Sequence, residues 1–541
     1  MLRILIQEQL HLDLMHNFKK KIKMKNRTIK FKANLLFACM ALFALSCTNL
    51  DLIVDDSLVA ESTDSGFSGV ENAESSLENL YNALRGQIEP QDGYYALAEV
   101  SSDELLIPTR GTDWGDNGIW RVLHTHKWPA SHLYVLNVWN GFNSNIFLAN
   151  QIIDSRSNAS PQVVAEAKFL RAFSMWTVLD LYGQVPFREV DEGPTVNPKV
   201  LSSTEALAFV LQDIEDALPG LPVIGPAGTT NKASKAAANF LKARVLLNAG
   251  IYRGEGAPSA ADMPGVIAAV DAITGDNFAL QAGYFDLFDG TANSERVWYT
   301  TAGTGNRMWG GLHYNQPSTD NGGGGWNGFT TLGAFYDSFE GNPNSNYVGD
   351  NQEERRGWVP DATNADSNNQ GFFYGFGIGQ QYNAAGTAIQ ARASKPLVFT
   401  KELPGLVGNN DVTGIRVLKY HPSNGAFYGG VILFRYADAY LMKAEAMLRS
   451  GGNPTAMVNA LRTLRGAAPL GSVTESDLLA ERGRELYIEM VRRTDMIRFG
   501  TFNAGYEFMD PSAVGDETKN LYPIPANAIL SNPNLVQNPG Y

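Results

Sequence analysis

Apolar positions recur with a helical period along most of this chain. Between 71 and 88, Leu77, Leu80, Tyr81 and Leu84 fall on one face of a helix. The same period predicts helices over 133–154, 163–182, 204–218 and 235–250, and Gly183 and Pro186 stop the one that ends at 182. Ala236, Ala237, Ala238 and Ala243 give the last of these a small face that admits a close neighbour. Residues 440–465 predict a helical hairpin turning at Gly451, Gly452 and Pro454. From about 284 to 430 the helical period fails, and short β-like runs at 297–301 and 417–420 stand among Gly, Asn and aromatic residues. The pattern predicts a mainly α chain carrying a large, irregular, loop-rich insert.

Residues 481–500, ERGRELYIEMVRRTDMIRFG, are the densest stretch of charge. Leu479, Leu486, Met490, Val491 and Ile497 predict one helix face. Glu481, Glu485 and Glu489 are spaced four apart, so like charges lie one turn from each other and repel. Arg482, Arg484, Arg492, Arg493 and Arg498 lie among them. Two readings are open: a solvated, salt-bridged helix, or charges paired in the interior.

Composition is that of a globular protein, with 541 residues, 44% hydrophobic and 18% charged. The front end is different. Lys25, Arg27, Lys30 and Lys32 precede an apolar run at 35–45 that is too short to span a bilayer, followed by Ala44, Leu45, Ser46 and Cys47. This resembles a lipoprotein signal at 24–46 with Cys47 as lipid anchor, preceded by 1–23 upstream of the true start at Met24. Cys39 lies within the leader, so Cys47 has no partner for a disulfide. Asp51, Asp55, Asp56 and Glu61 make 47–66 a polar tether, leaving 67–541 as one domain. The formal charge is −13 overall, and −20 once the basic leader, net +7, is removed. That excess of acid argues against nucleic acid and against an anionic membrane surface as partners.

Five stretches resemble the SusD/RagB family of outer-membrane nutrient-binding lipoproteins: S-S-D-E-L-L-I-P-T-R-G-T-D-W from Ser101, A-E-A-K-F-L-R-A through L-Y-G-Q-V-P from Ala165, R-Y-A-D-A-Y-L-M-K-A-E-A from Arg435, the charged stretch at 481–500, and L-Y-P-I-P at 521–525 with the N-P-N-L and terminal Q-N-P-G-Y that follow. Val178 stands where the family motif has Leu. The resemblance implies a right-handed superhelix of tetratricopeptide-like hairpins. It also implies a cell-surface role without catalysis: a glycan is captured for a TonB-dependent, SusC-like outer-membrane transporter, with membrane contact through the lipid alone.

The residues themselves carry several candidate chemistries. His124, His126 and His132 offer imidazoles within nine positions, but with no convincing fourth ligand, and no metal or cofactor is expected. Asp103–Glu104 and Glu353–Glu354 are acidic pairs, yet neighbours in sequence do not face each other across a substrate as a glycosidase requires. A surface glycosidase and a binder of peptide nutrients remain the alternatives. The aromatic loops are more informative. Trp114 and Asn117 lie in one, and Trp309, Tyr314, Trp326 and Asn327 in another around 322–325. Exposed rings suit the apolar face of a pyranose, and Asn or Asp its belt of hydroxyls. These six are the expected glycan contacts. Trp120, beside Ile119, is expected in the core, as are Trp139 and Trp176 on helices.

Overall fold

The amphipathic segments fold as helices whose ends are set by their flanking residues. The computed structural model describes residues 67–192, 196–301, 303–316, 323–420 and 429–541, within a compact unit spanning Ala60–Tyr541. The leader, the tether at 47–66 and Cys47 lie outside the described residues. Helix α1 (Ala73–Ile88) is capped by Asn72, whose side chain accepts the Ser75 N–H at 2.8 Å, and it buries Leu77, Leu80 and Leu84. After the short α2 (Tyr94–Glu99) come α3 (Leu133–Ile153) and α4 (Pro161–Tyr182). Ser160 caps α4, Pro161 opens it, and Gly183, at a φ of 71°, ends it in the left-handed conformation. Helix α4 is apolar nearly all round because it is covered on every side, by α3, by α1 and by α5 (Ser203–Ala217).

One buried ion pair ties these helices together. Arg171 of α4 donates to both carboxylate oxygens of Asp213 of α5, at 2.7 and 2.6 Å, and to Asn150 of α3 at 2.7 Å. Further along, α6 (Lys235–Leu247) packs on α7 (Met263–Gly275) and α7 on α9 (Tyr436–Arg449), which turns into α10 (Thr455–Leu464). The architecture is thus the expected one, mainly helical and tetratricopeptide-like. None of the described helices is long and apolar enough to cross a membrane.

Three short antiparallel pairs staple the irregular insert, the smallest joining Gly379–Gln380 to Val398–Phe399. Strand β1 (Arg296–Thr300) pairs with β4 (Val431–Arg435), and β2 (Gly375–Gly377) with β3 (Arg416–Leu418). Both β-like runs are therefore strands. The partner of the first runs directly into α9, which docks the insert onto the helices. The insert also holds a short helix, α8 (Gly305–Gly311), too brief for periodicity to reveal.

The charged stretch departs from expectation: it is not one helix. It forms α11 (Glu475–Leu486) and α12 (Arg492–Arg498), with Ile488 and Met490 between them at φ of 52° and 63°. Left-handed backbone is strongly disfavoured for a β-branched residue such as Ile. Two buried carboxylates hold the break open. Glu99 accepts the Met490 N–H, and Glu104 accepts the Ile488 N–H at 3.0 Å. The turn swings Glu489 onto Arg435 and Lys419.

The charges of this stretch are paired in the interior, which decides between the two readings. Glu485 is fully buried and receives Arg435 at 2.7 Å, Arg465 at 2.9 Å and Arg355 at 3.4 Å. Arg435 also reaches Glu295 at 2.8 Å and Glu489 at 2.7 Å, while Glu481 is held by Arg355 and Arg462, both at 2.7 Å. Burial pushes the Glu485 carboxyl up, but Arg465, Arg435 and Arg355 outweigh it and hold the group well below the usual range. Glu485→Gln should therefore cost about 3–5 kcal/mol, since the guanidinium groups around it stay buried with one charge too few. Urea denaturation measures this, and a loss below about 1 kcal/mol would mean that these charges behave as a surface pair does.

Glu99 and Glu104 behave in the opposite sense. Burial pushes Glu99 up to about 7, outweighing its bond from the Met490 N–H, and burial likewise raises Glu104 well above the ordinary carboxylate range. Glu99 therefore keeps its proton in the folded state to a higher pH than in the unfolded chain. Its stabilisation is complete below about pH 4.3, the ordinary glutamate value, and is lost as pH rises to about 7. Denaturation midpoints followed over that window should fall in the natural chain and fall less in Glu99→Gln. Parallel curves for the two proteins would show that Glu99 does not titrate there.

Candidate functional site

The two aromatic loops come together although Trp114 and Trp326 are 212 residues apart. Trp114, Asp116 and Asn117 take φ of 59°, 38° and 51°. Three left-handed non-glycine residues in four positions persist only where their surroundings hold them. Here the Trp114 Nε1–H donates to the Trp326 carbonyl at 2.7 Å, and the indole packs on Trp120 and Phe329 with centroids 5.9 and 6.0 Å away. Trp120 donates its Nε1–H to Asp116 Oδ2 at 3.0 Å, and Arg121 donates to the Gly115 carbonyl at 3.2 Å. Gly328 lies directly under the indole. A Cβ there would sit 2.4 Å from Trp114 Cε2 and Cζ2, so the ring requires glycine at this position.

The second loop is carried by α8. The N–H groups of Trp326, Asn327 and Gly328 donate to the carbonyls of Trp309, Leu312 and Gly310 at 2.6, 2.8 and 2.8 Å. Trp309 is buried, and so is Asn327. The Asn327 Oδ1 accepts from Arg416 Nε and Nη2 at 3.0 and 2.7 Å, and its amide donates to the Asp411 carbonyl at 2.8 Å. Of the six expected contacts, these two face the interior and brace the loop from beneath. The physical reason is that a loop exposing one ring still needs a core of its own. Tyr314 is half-buried, with its hydroxyl donated to Asp113 and the Arg392 guanidinium stacked 3.5 Å from its ring centroid. Asn117 is exposed.

Trp114 and Trp326 are left half-exposed, and both line one open depression of about 500 Å³. Trp120 and Tyr134 complete its aromatic wall, and Gln91, Asp92 and Asp116 its polar one. Asn117 and Tyr314 stand outside that lining. Gln91 and Asp92, between α1 and α2, and Tyr134, at the start of α3, have no sequence signal linking them to either loop. Trp120 is in the core as expected, at 4% exposure, while its edge reaches the depression.

The other candidate chemistries are occupied by structural bonds. His124, His126 and His132 are buried and bond to three separate backbone carbonyls, those of Glu507, Ser101 and Ile119, at 2.9, 2.8 and 3.0 Å. Burial holds His124 and His126 down at about 4, hence neutral. Asp103 forms a two-bond pair with Arg492, at 2.7 Å each, and Glu353 pairs with Arg355. Glu354 accepts the Tyr284 N–H at 2.8 Å.

The model of the SusD family matches residues 294–541. The starch-binding protein SusD of Bacteroides thetaiotaomicron is 26% identical over 516 residues, 85% of this chain and 88% of its own length. Residues 294–541 belong to the SusD/RagB family. A SusD-like protein of Bacteroides fragilis superposes with a TM-score of 0.66 at 20% identity, covering 89% of this chain and 99% of its own. Surface glycan-binding protein A of Bacteroides uniformis gives 0.64 at 17% identity, covering 86% and 98%. Both share the SusD fold. The family consists of carbohydrate-binding proteins rather than enzymes.

Proposed function

We propose that this chain is a cell-surface lipoprotein, anchored through Cys47, that captures a glycan and delivers it to a TonB-dependent, SusC-like outer-membrane transporter. One observation carries the capture: Trp114 and Trp326, from loops far apart in the chain, stand half-exposed in the wall of one depression. Flat indole faces suit the C–H face of a pyranose, and the neighbouring Gln91, Asp92 and Asp116 suit its hydroxyls. The starch-binding relative supports the same reading. The depression is open, as suits holding part of a long polymer through several modest contacts that release readily. Tyr314, Asn117 and Arg392 lie outside its lining and are candidates for a second sugar position.

Trp114→Ala and Trp326→Ala should each weaken glycan binding at least tenfold, measured by affinity electrophoresis in polysaccharide gels. Trp326→Ala should keep a melting temperature close to that of the natural chain, while Trp114→Ala, which also loses the bond to the Trp326 carbonyl and the packing on Trp120 and Phe329, should melt lower but stay folded. Trp309→Ala is the contrast, because truncating a buried tryptophan costs about 3–5 kcal/mol. Retained affinity in both surface variants would move the site elsewhere, and binding of a peptide panel in place of glycans would overturn it. Delivery has its own test. Mild-detergent extraction of the native outer membrane should recover this chain with a large barrel protein at near-equal stoichiometry. Recovery alone, with the transporter present, would refute the partnership.

A further inference from the structure

We propose that the Trp114–Trp326 depression selects uncharged glycans, and that Asp92 and Asp116 are the residues that turn anionic ones away. The inference rests on glycan capture at this depression and adds the class of sugar. Its polar wall consists of two carboxylates and one amide, and no Lys or Arg is among the described residues that line it. Two guanidinium groups of the neighbouring loops point to other partners. Arg121 donates to the Gly115 carbonyl, and Arg392 lies between Asp113 and the Tyr314 ring. The indole N–H groups of Trp114 and Trp120 are likewise used, by the Trp326 carbonyl and by Asp116.

What remains is a wall rich in acceptors. Each carboxylate is acceptor-only, and the Gln91 carbonyl oxygen is shielded from solvent, so the acceptors a ligand meets are those of Asp92 and Asp116. A sugar hydroxyl can donate to both. A uronate carboxylate or a sulfate ester cannot donate at all, and it brings a negative charge toward the half-buried Asp92 and the exposed Asp116, which repel it. The tryptophan faces carry no compensating charge. Stacking therefore serves any pyranose, while the carboxylates separate neutral from anionic chains.

The experiment is binding of the full chain to a printed array of neutral, uronate-containing and sulfated oligosaccharides, run at low and high salt. Signals should be confined to neutral glycans, with anionic relatives of a bound sugar at least tenfold weaker at low salt and less so at high salt. Asp92→Asn with Asp116→Asn keeps shape and acceptor oxygens, and it should narrow that gap to a few-fold. Asp92→Asn alone, which leaves the Trp120 bond untouched, should narrow it in part and serves if the double variant fails to fold. Anionic glycans bound through Trp114 or Trp326 would overturn the selectivity and leave glycan capture standing. An unchanged gap in the folded variants would overturn the role of the two carboxylates. Absence of any signal that depends on Trp114 or Trp326 would overturn capture at this depression, and the selectivity with it.

Discussion

The buried pairing of Glu485 with Arg435, Arg465 and Arg355 is the constraint on which the rest of the structure depends. Its members come from β4, from the end of α10, from the insert and from α11, so one carboxylate joins four parts of the chain. A buried pair of this kind contributes less to net stability than an apolar cluster of equal volume could. It is demanding in another way: each charge must find its partner or remain uncompensated in a dry interior. That requirement selects one docking of the insert on the helices, because a shifted insert would leave Arg355 or Glu295 alone.

The same region reaches the depression through continuous chain. Glu99 and Glu104 hold the strained turn between α11 and α12, and Asp103 beside them pairs with Arg492 of α12. Residues 105–114 then lead outward, and Leu106 bridges to Thr330 just past the Trp326 loop. On the other side, Arg416 of β3 braces Asn327, while Lys419, three residues on, enters the charge network at Glu489. The half-exposed rings thus stand on struts that begin in the charged core. A binder needs this because a sugar gains little from stacking on a ring that must first be ordered.

Two of the clusters of left-handed residues bear on the core and the site, the Ile488–Met490 turn and the Trp114–Asn117 turn. In both, side-chain acceptors or a backbone carbonyl far away in sequence compensate for the local cost. The first builds the core and the second builds the surface site. The second lies on a loop carried by a rigid scaffold, which is where binding residues concentrate.

Periodicity alone determined the long helices, because a buried stripe every 3.6 residues is a local property that Leu77, Leu80 and Leu84 or Ala236 to Ala243 display without reference to anything else. Composition marked the insert, and residue type singled out Trp114 and Trp326, since glycine-rich loops bearing large rings are visible in one dimension. Tertiary structure alone decided the rest. The charges at 481–489 read equally well as a wet face or a buried network, because pairing depends on Arg355, Arg435 and Arg465, which lie 20 or more residues away in sequence. The break after Leu486 was invisible for the same reason: the acceptors that stabilise it, Glu99 and Glu104, are nearly 400 positions upstream. Trp309 and Asn327 have the same composition around them as Trp326, and only packing turns them inward. Gln91, Asp92 and Tyr134 enter the depression by where α1, α2 and α3 end and begin in space, and the order of residues along a chain carries no record of that.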